Sequence, residues 1–186
     1  MSVLRIPILF LKMPKLIVLD LDWTTWVGDC GKDFVGPYTG TGDLLFDAYG
    51  TPVRLYPDVR AILTEFAAAG VKIAFASRNP ATARCEEALR AFGLFDMACV
   101  FLAHPSDGTH TKRAHFATIH ARTGIAYSDM LFFDDGPGNI EGARAMGIPS
   151  LQCRYPNGLT WAHVYVLSGL LNMDADVEKV DVGGAW

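Results

Sequence analysis

Short apolar runs alternate with amphipathic stretches along most of this 186-residue chain. That alternation limits the fold to α/β, a parallel sheet with helices on both faces. Residues 16–21 are apolar apart from Asp20, as a strand buried on both sides requires. Residues 71–76, 98–102, 130–133 and 150–153 read as four further strands. Between them the pattern predicts helices. The first covers 58–69, after Pro57 and stopped by Gly70. The second has Asn79 as N-cap, Pro80 at its first helical position, and runs to Phe92. The others cover 112–122, closed by Gly124, then 141–146 before Gly147, and 159–171. Residues 27–52 are rich in glycine and aromatics with weak periodicity, and are predicted to form a flap inserted after the first strand.

Composition narrows the function. Hydrophobic residues make up 51% and charged residues 19%, which suits a packed core and argues against disorder. A net charge of −4 disfavours nucleic acid as a partner, since phosphate neutralisation needs a dense basic surface. No apolar run approaches the roughly 20 residues of a membrane span, so no membrane partner is expected. Cys30, Cys85, Cys99 and Cys153 show neither C-x-x-C pairing nor zinc spacing. They read as free buried thiols of a reducing compartment, which points to the cytoplasm. Residues 1–13 read as an N-terminal extension, with organelle targeting by 1–12 as the other reading, and 173–186 as a loose tail.

In doubly wound sheets, ligands sit beyond the carboxyl ends of the strands. The first strand ends in Asp20-Leu21-Asp22-Trp23-Thr24, and the second in Ser77-Arg78-Asn79. Lys112 opens the helix after the third, and the fourth ends in Asp134-Asp135-Gly136. Carboxylates that meet in a cleft repel, so a cation belongs between them. A hard divalent ion, Mg²⁺, suits the oxygen ligands of Asp20 and the acidic pair. Asp20 is then the candidate nucleophile towards a phosphoryl group. Asp22 is the candidate acid and base, while Ser77 and Lys112 are candidate holders of the phosphoryl oxygens. Arg78 reads as a phosphate or substrate contact. Trp23, Trp26, Phe34 and Tyr38 either pack the flap or line the entrance, where Trp23 could stack on an aromatic leaving group.

Val18-Leu19-Asp20-Leu21-Asp22-Trp23-Thr24 resembles the first motif of the haloacid dehalogenase (HAD) superfamily. Ser77, Lys112 and Phe132-Phe133-Asp134-Asp135 fall where its other three motifs belong. Asp20-Leu21-Asp22-x-Thr24-x-Trp26, Arg54-Leu55-Tyr56-Pro57, Ala76-Ser77-Arg78, Lys112-x-x-His115-Phe116 and the acidic pair followed by Asn139 narrow the resemblance to the magnesium-dependent phosphatase-1 family, over residues 14–172. The resemblance implies a three-layer, Rossmann-like domain of five parallel strands with the first strand central. It also implies an aspartyl-phosphate intermediate on Asp20, and Mg²⁺ held by Asp20, the backbone carbonyl of Asp22, and Asp135 in preference to Asp134. Asn139 would orient a metal-bound water. Implied substrates are phosphorylated small molecules or phosphoproteins, of the phosphotyrosine, aryl phosphate or sugar phosphate kinds. Two departures, Thr25 after the motif-one threonine and Gly136-Pro137-Gly138 after the acidic pair, remove none of these groups.

Other readings are open to the same residues. Asp20 and Asp22 could be a solvated strand end, but an aspartate in a buried strand is costly without a partner. Asp134 reads better as a neighbouring acceptor than as a ligand. His110, His115 and His120 are spaced by five, do not stack on one helix face, and read as core or surface. The alternative function is a catalytically idle phosphate-binding module. Such a module has no need of Asp22.

Overall fold

Leu16–Leu19 form β1, and all four side chains are fully buried. Their alternation sends Ile17 and Leu19 into one apolar cluster and Leu16 and Val18 into another. A strand buried on both faces must lie between two layers. The computed structural model, which describes residues 13–105 and 111–169, shows that arrangement. β1 pairs in parallel with β5 (Lys72–Ser77) on one side and β7 (Met130–Asp134) on the other. β6 (Ala98–Ala103) and β8 (Ser150–Gln152) complete a five-stranded sheet in the order β6-β5-β1-β7-β8.

On one face, α1 (Val59–Ala68) buries Ile62, Leu63 and Phe66, α2 (Thr82–Ala91) buries Cys85 and Leu89, and α5 (Trp161–Ser168) buries Val164. On the other, α3 (Arg113–Thr123) buries Phe116 and Ile119, and α4 (Pro137–Arg144) buries Ile140 and Ala143. α3 stops at Gly124, whose φ of 69° is open to glycine at little cost. This is the predicted three-layer α/β fold. The strand order reverses its winding between β1 and β7, and the crevice beyond those two parallel strands is where ligands gather in such sheets.

The flap contains structure that weak periodicity did not announce. β2 (Thr39–Thr41), β3 (Leu44–Phe46) and β4 (Pro52–Arg54) form a small antiparallel sheet, and β4 runs past the expected flap limit at residue 52. Leu45 and Val53 bury against the main core, as does Trp26, which stacks on Phe92 at 6.2 Å and meets Phe34 edge-on at 6.3 Å. Trp26 and Phe34 therefore pack the flap and do not line an entrance.

Four further expectations are corrected. The first strand ends at Leu19, so Asp20 lies just outside it. α4 begins at Pro137, not at residue 141, because proline supplies the φ of a first helical turn and the Asp134 carboxylate takes the Gly136 amide at 2.7 Å. Asn79 is not a helix cap. The helix starts three residues later, and the Asn79 side chain faces the cleft. Of the four thiols, Cys30, Cys85 and Cys153 are buried as expected, while Cys99 is exposed. Among the described residues no helix is long and apolar enough to cross a membrane. Residues 1–12, His110 and the tail lie outside the described residues.

Candidate active site

A cleft of about 450 Å³ opens at the carboxyl ends of β1, β5 and β7. β1 delivers Asp20, whose amide donates to the Phe133 carbonyl at 3.0 Å and whose carbonyl accepts from Thr25 Oγ1 at 2.6 Å. The chain then turns sharply. Thr25 N donates back to the Leu21 carbonyl at 2.8 Å, and Trp23 sits in the left-handed region at φ 61°. That conformation costs a bulky residue about 1–2 kcal/mol. It lies at the point where Asp22 and Trp23 reach the cleft.

Asp20, Asp134 and Asp135 can bring one ligand atom each within 4.8 Å of one another, an arrangement able to hold a metal ion. Lys112, only 1% exposed, reaches this group from the start of α3. Its ammonium donates to Asp20 Oδ1 and, at 2.6 Å, to Asp134 Oδ2. Asp134 is fully buried, and its other oxygen accepts from Asn139 Nδ2 at 2.8 Å as well as from Gly136. Burial pushes the Asp20 carboxyl well above the usual carboxylate range, although Lys112 opposes the shift. Burial and the Asp134 charge raise Asp135 to about 6. Burial pulls Lys112 down, but Asp134 and Asp20 more than offset it, so the lysine stays charged. Three carboxylates against one ammonium leave a formal charge of −2, which one divalent cation would cancel.

Asp22 is held apart from that group. Its Oδ1 accepts from Trp26 Nε1 at 2.8 Å and the Cys30 amide at 2.9 Å, and its Oδ2 accepts from Asn79 Nδ2 at 2.7 Å. Burial raises its pKa, and these bonds oppose the rise. Ser77 is buried at the end of β5, and its Oγ accepts the Asn79 amide at 3.1 Å, which leaves the hydroxyl hydrogen for a ligand. Arg78 donates to Asn139 Oδ1 at 3.3 Å. Asn139 thus spans Arg78 and Asp134. Trp23 lines the cleft and meets the exposed ring of Tyr155 edge-on at 5.6 Å.

Two residues do more than their sequence context announces. Asn79 was masked by its Asn-Pro context, a strong helix-start signal, although it follows a strand exit as Ser77 does. His115 lies beneath Ser77, where its Nε2–H donates to the Ser77 carbonyl at 2.9 Å and its ring stacks on His104 at 4.1 Å. The core reading of His115 holds, but no periodic signal announced its bond to Ser77, because the contact joins α3 to the end of β5.

His115 and His163 are both buried, and burial lowers each to about 4 from an ordinary 6.5. The unfolded chain takes up these protons below about pH 6.5, and the folded protein only below about pH 4. Stability is therefore full above that window and falls as pH drops through it, by about 3 kcal/mol for each histidine. Denaturant midpoints measured from pH 7 to pH 4 check this. His163→Gln should flatten the decline.

A Rossmann-like sheet with two aspartates after the central strand, a serine and a lysine at neighbouring exits, and an acidic pair after β7 defines a HAD-type phosphatase. The chain belongs to the acid phosphatase family, whose model matches residues 12–170. It is similar to Magnesium-dependent phosphatase 1 of Homo sapiens, with 34% identity over 149 residues covering 80% of this chain and 81% of that protein. A HAD-like hydrolase superfamily protein of Schizosaccharomyces pombe is 31% identical over 157 residues, covering 80% of this chain and 91% of that protein. Among solved structures, the phosphatase-domain-containing N-terminal part of a Bacteroides fragilis protein, complexed with Mg, superposes with a TM-score of 0.61 at 23% identity. That likeness covers 84% of this chain and 40% of that one, and it speaks for the fold.

Proposed function

We propose that this cleft hydrolyses phosphate monoesters through a phosphoryl group carried on Asp20, with Asp22 as acid and then base. The observation that carries the reading is the convergence of Asp20, Asp22, Ser77, Lys112 and Asp135 on one cleft. In the first half-reaction, an oxygen of Asp20 bonds to phosphorus as the ester P–O bond breaks. The ester oxygen keeps the electron pair and takes a proton from the Asp22 carboxyl. In the second half-reaction, water attacks phosphorus while Asp22 takes its proton. The bond between phosphorus and Asp20 breaks, and inorganic phosphate leaves. Ser77 and Lys112 hold the non-bridging oxygens, and Arg78 stands beside them.

The donor set fits Mg²⁺. Its ligands are hard oxygens, and the uncompensated charge of the buried cluster matches a divalent ion. Asp20 and Asp135, with the Asp22 backbone carbonyl, would hold it, while Asp134 is engaged by Lys112, Gly136 and Asn139. Mg²⁺ when bound lowers the repulsion between a carboxylate nucleophile and a phosphate dianion. The aromatic face of Trp23 suits an aryl or sugar leaving group, of the phosphotyrosine or sugar phosphate kinds. The four free thiols suit a reducing compartment such as the cytoplasm.

The test is phosphate release from an aryl phosphate by the purified, folded protein. Release is expected with Mg²⁺, is lost in excess EDTA, and returns on adding Mg²⁺ back. Release indifferent to EDTA would remove the metal from the account. No release with any divalent ion would favour a phosphate-binding module.

A further inference from the structure

Asn79 is buried at the cleft wall, two residues beyond Ser77. Its carboxamide uses both hydrogens and its oxygen. One Nδ2 hydrogen goes to Asp22 Oδ2 at 2.7 Å, the other to Asp29 Oδ1 at 2.9 Å, and Oδ1 accepts the Ala81 amide at 2.9 Å. The reverse orientation would set its oxygen against two carboxylates and its NH₂ against an N–H, so the partners fix the amide. Asp29 is itself pinned by the Gly31 amide at 2.7 Å and by Lys32 at 2.6 Å. A Cβ on Gly31 would stand 2.8 Å from Asn79 Oδ1, so glycine is what lets this part of the flap approach.

The three donors to Asp22 differ in where they come from. Trp26 and Cys30 lie four and eight residues away on the same segment, so they move with Asp22. Asn79 is 57 residues away, on the segment that carries Ser77. It therefore sets Asp22 relative to Ser77, which places the proton donor relative to the group that holds the phosphoryl oxygens.

We propose that Asn79 is a positioning residue that aims the Asp22 carboxyl at the leaving oxygen by tying it to the exit of β5 and to Asp29 of the flap. The assignment rests on the phosphomonoesterase reading above. It has a consequence that a structural role lacks. An alkoxide is a poor leaving group and needs the proton from Asp22 as the P–O bond breaks. A dinitrophenolate leaves without it. Loss of aim therefore penalises the first substrate and spares the second, whereas damage to the fold, the nucleophile or the phosphate clamp penalises both.

The experiment compares kcat/KM on an alkyl phosphate and on 2,4-dinitrophenyl phosphate, using one preparation of each protein with Mg²⁺. The ratio of the two rates cancels any difference in folded fraction. Asn79→Ala should lose about 10²-fold on the alkyl ester and less than about 10-fold on the dinitrophenyl ester, since a positioned acid contributes at least about 10²-fold. Asn79→Asp keeps the shape and the acceptor for Ala81 but sets a third carboxylate against Asp22 and Asp29. It should show the same selective loss. Equal losses on both esters, or none on either, would overturn the proposal. A parent protein that hydrolyses neither ester would instead overturn the phosphomonoesterase reading, and this assignment with it.

Discussion

Asp20→Asn should hydrolyse phosphate monoesters at least about 10⁴-fold more slowly than the parent, the scale of loss expected when the proposed nucleophile is removed. The substitution keeps the shape of the side chain, and its amide oxygen can still accept from Lys112. What disappears is the carboxylate that the proposed mechanism sends to phosphorus. The metal-free variant should be at least as stable as the parent, because burial disfavours the ionised Asp20 side chain. Activity at pH 7 and a denaturant midpoint, measured on the same sample, check both halves. Lost activity with retained stability marks a residue kept for chemistry. Near-parental turnover would remove Asp20 from the mechanism.

Lys112→Met has the opposite profile, losing both stability and activity. The ammonium is buried and bonded to two buried carboxylates. Removing one member of a buried ion pair costs about 3–5 kcal/mol, because the other is left unpaired in a poor solvent for charge. Methionine fills the space of the lysine stem, so little of the loss comes from a cavity. Stability should recover in part as Mg²⁺ is added, since the ion supplies positive charge to the same carboxylates. Urea midpoints with and without Mg²⁺ test this. A variant as stable as its parent would mean that Asp20 and Asp134 are not held ionised by Lys112.

Much of this was legible in the sequence, for physical reasons that differ by residue. β1 and β7 could be read because strands buried on both faces need unbroken apolar runs, and Leu16-Ile17-Val18-Leu19 and Met130-Leu131-Phe132-Phe133 supply them. The gathering of Asp20, Asp22, Ser77, Lys112 and Asp135 at one cleft could be read because a parallel sheet brings its strand exits to one end. The flap sheet could not. Thr39-Gly40-Thr41 is exposed and has no apolar period, so its pairing with Leu44–Phe46 depends on how Leu45 docks on the core. The start of α4 was hidden because Gly136-Pro137-Gly138 has the composition of a loop, and the group that takes the Gly136 amide is a side chain of the site. Lys112 was read as a holder of phosphoryl oxygens at a helix start, and only the tertiary structure shows its ammonium buried between two carboxylates. Asn79 was legible as a cap and proved to be a bridge, because its cleft partners lie 50 and 57 residues away.

A phosphoryl group that passes through Asp20 can be trapped there. Asp22→Asn lacks the base for the second half-reaction, so the phosphorylated enzyme should persist in that variant after mixing with 2,4-dinitrophenyl phosphate and Mg²⁺. Acid quenching, proteolysis and mass spectrometry should find a phosphoryl adduct on the peptide containing Asp20, released by hydroxylamine and missing when Asp20 is also replaced by Asn. An adduct on another residue, or steady phosphate release with no adduct on any peptide, would contradict the account.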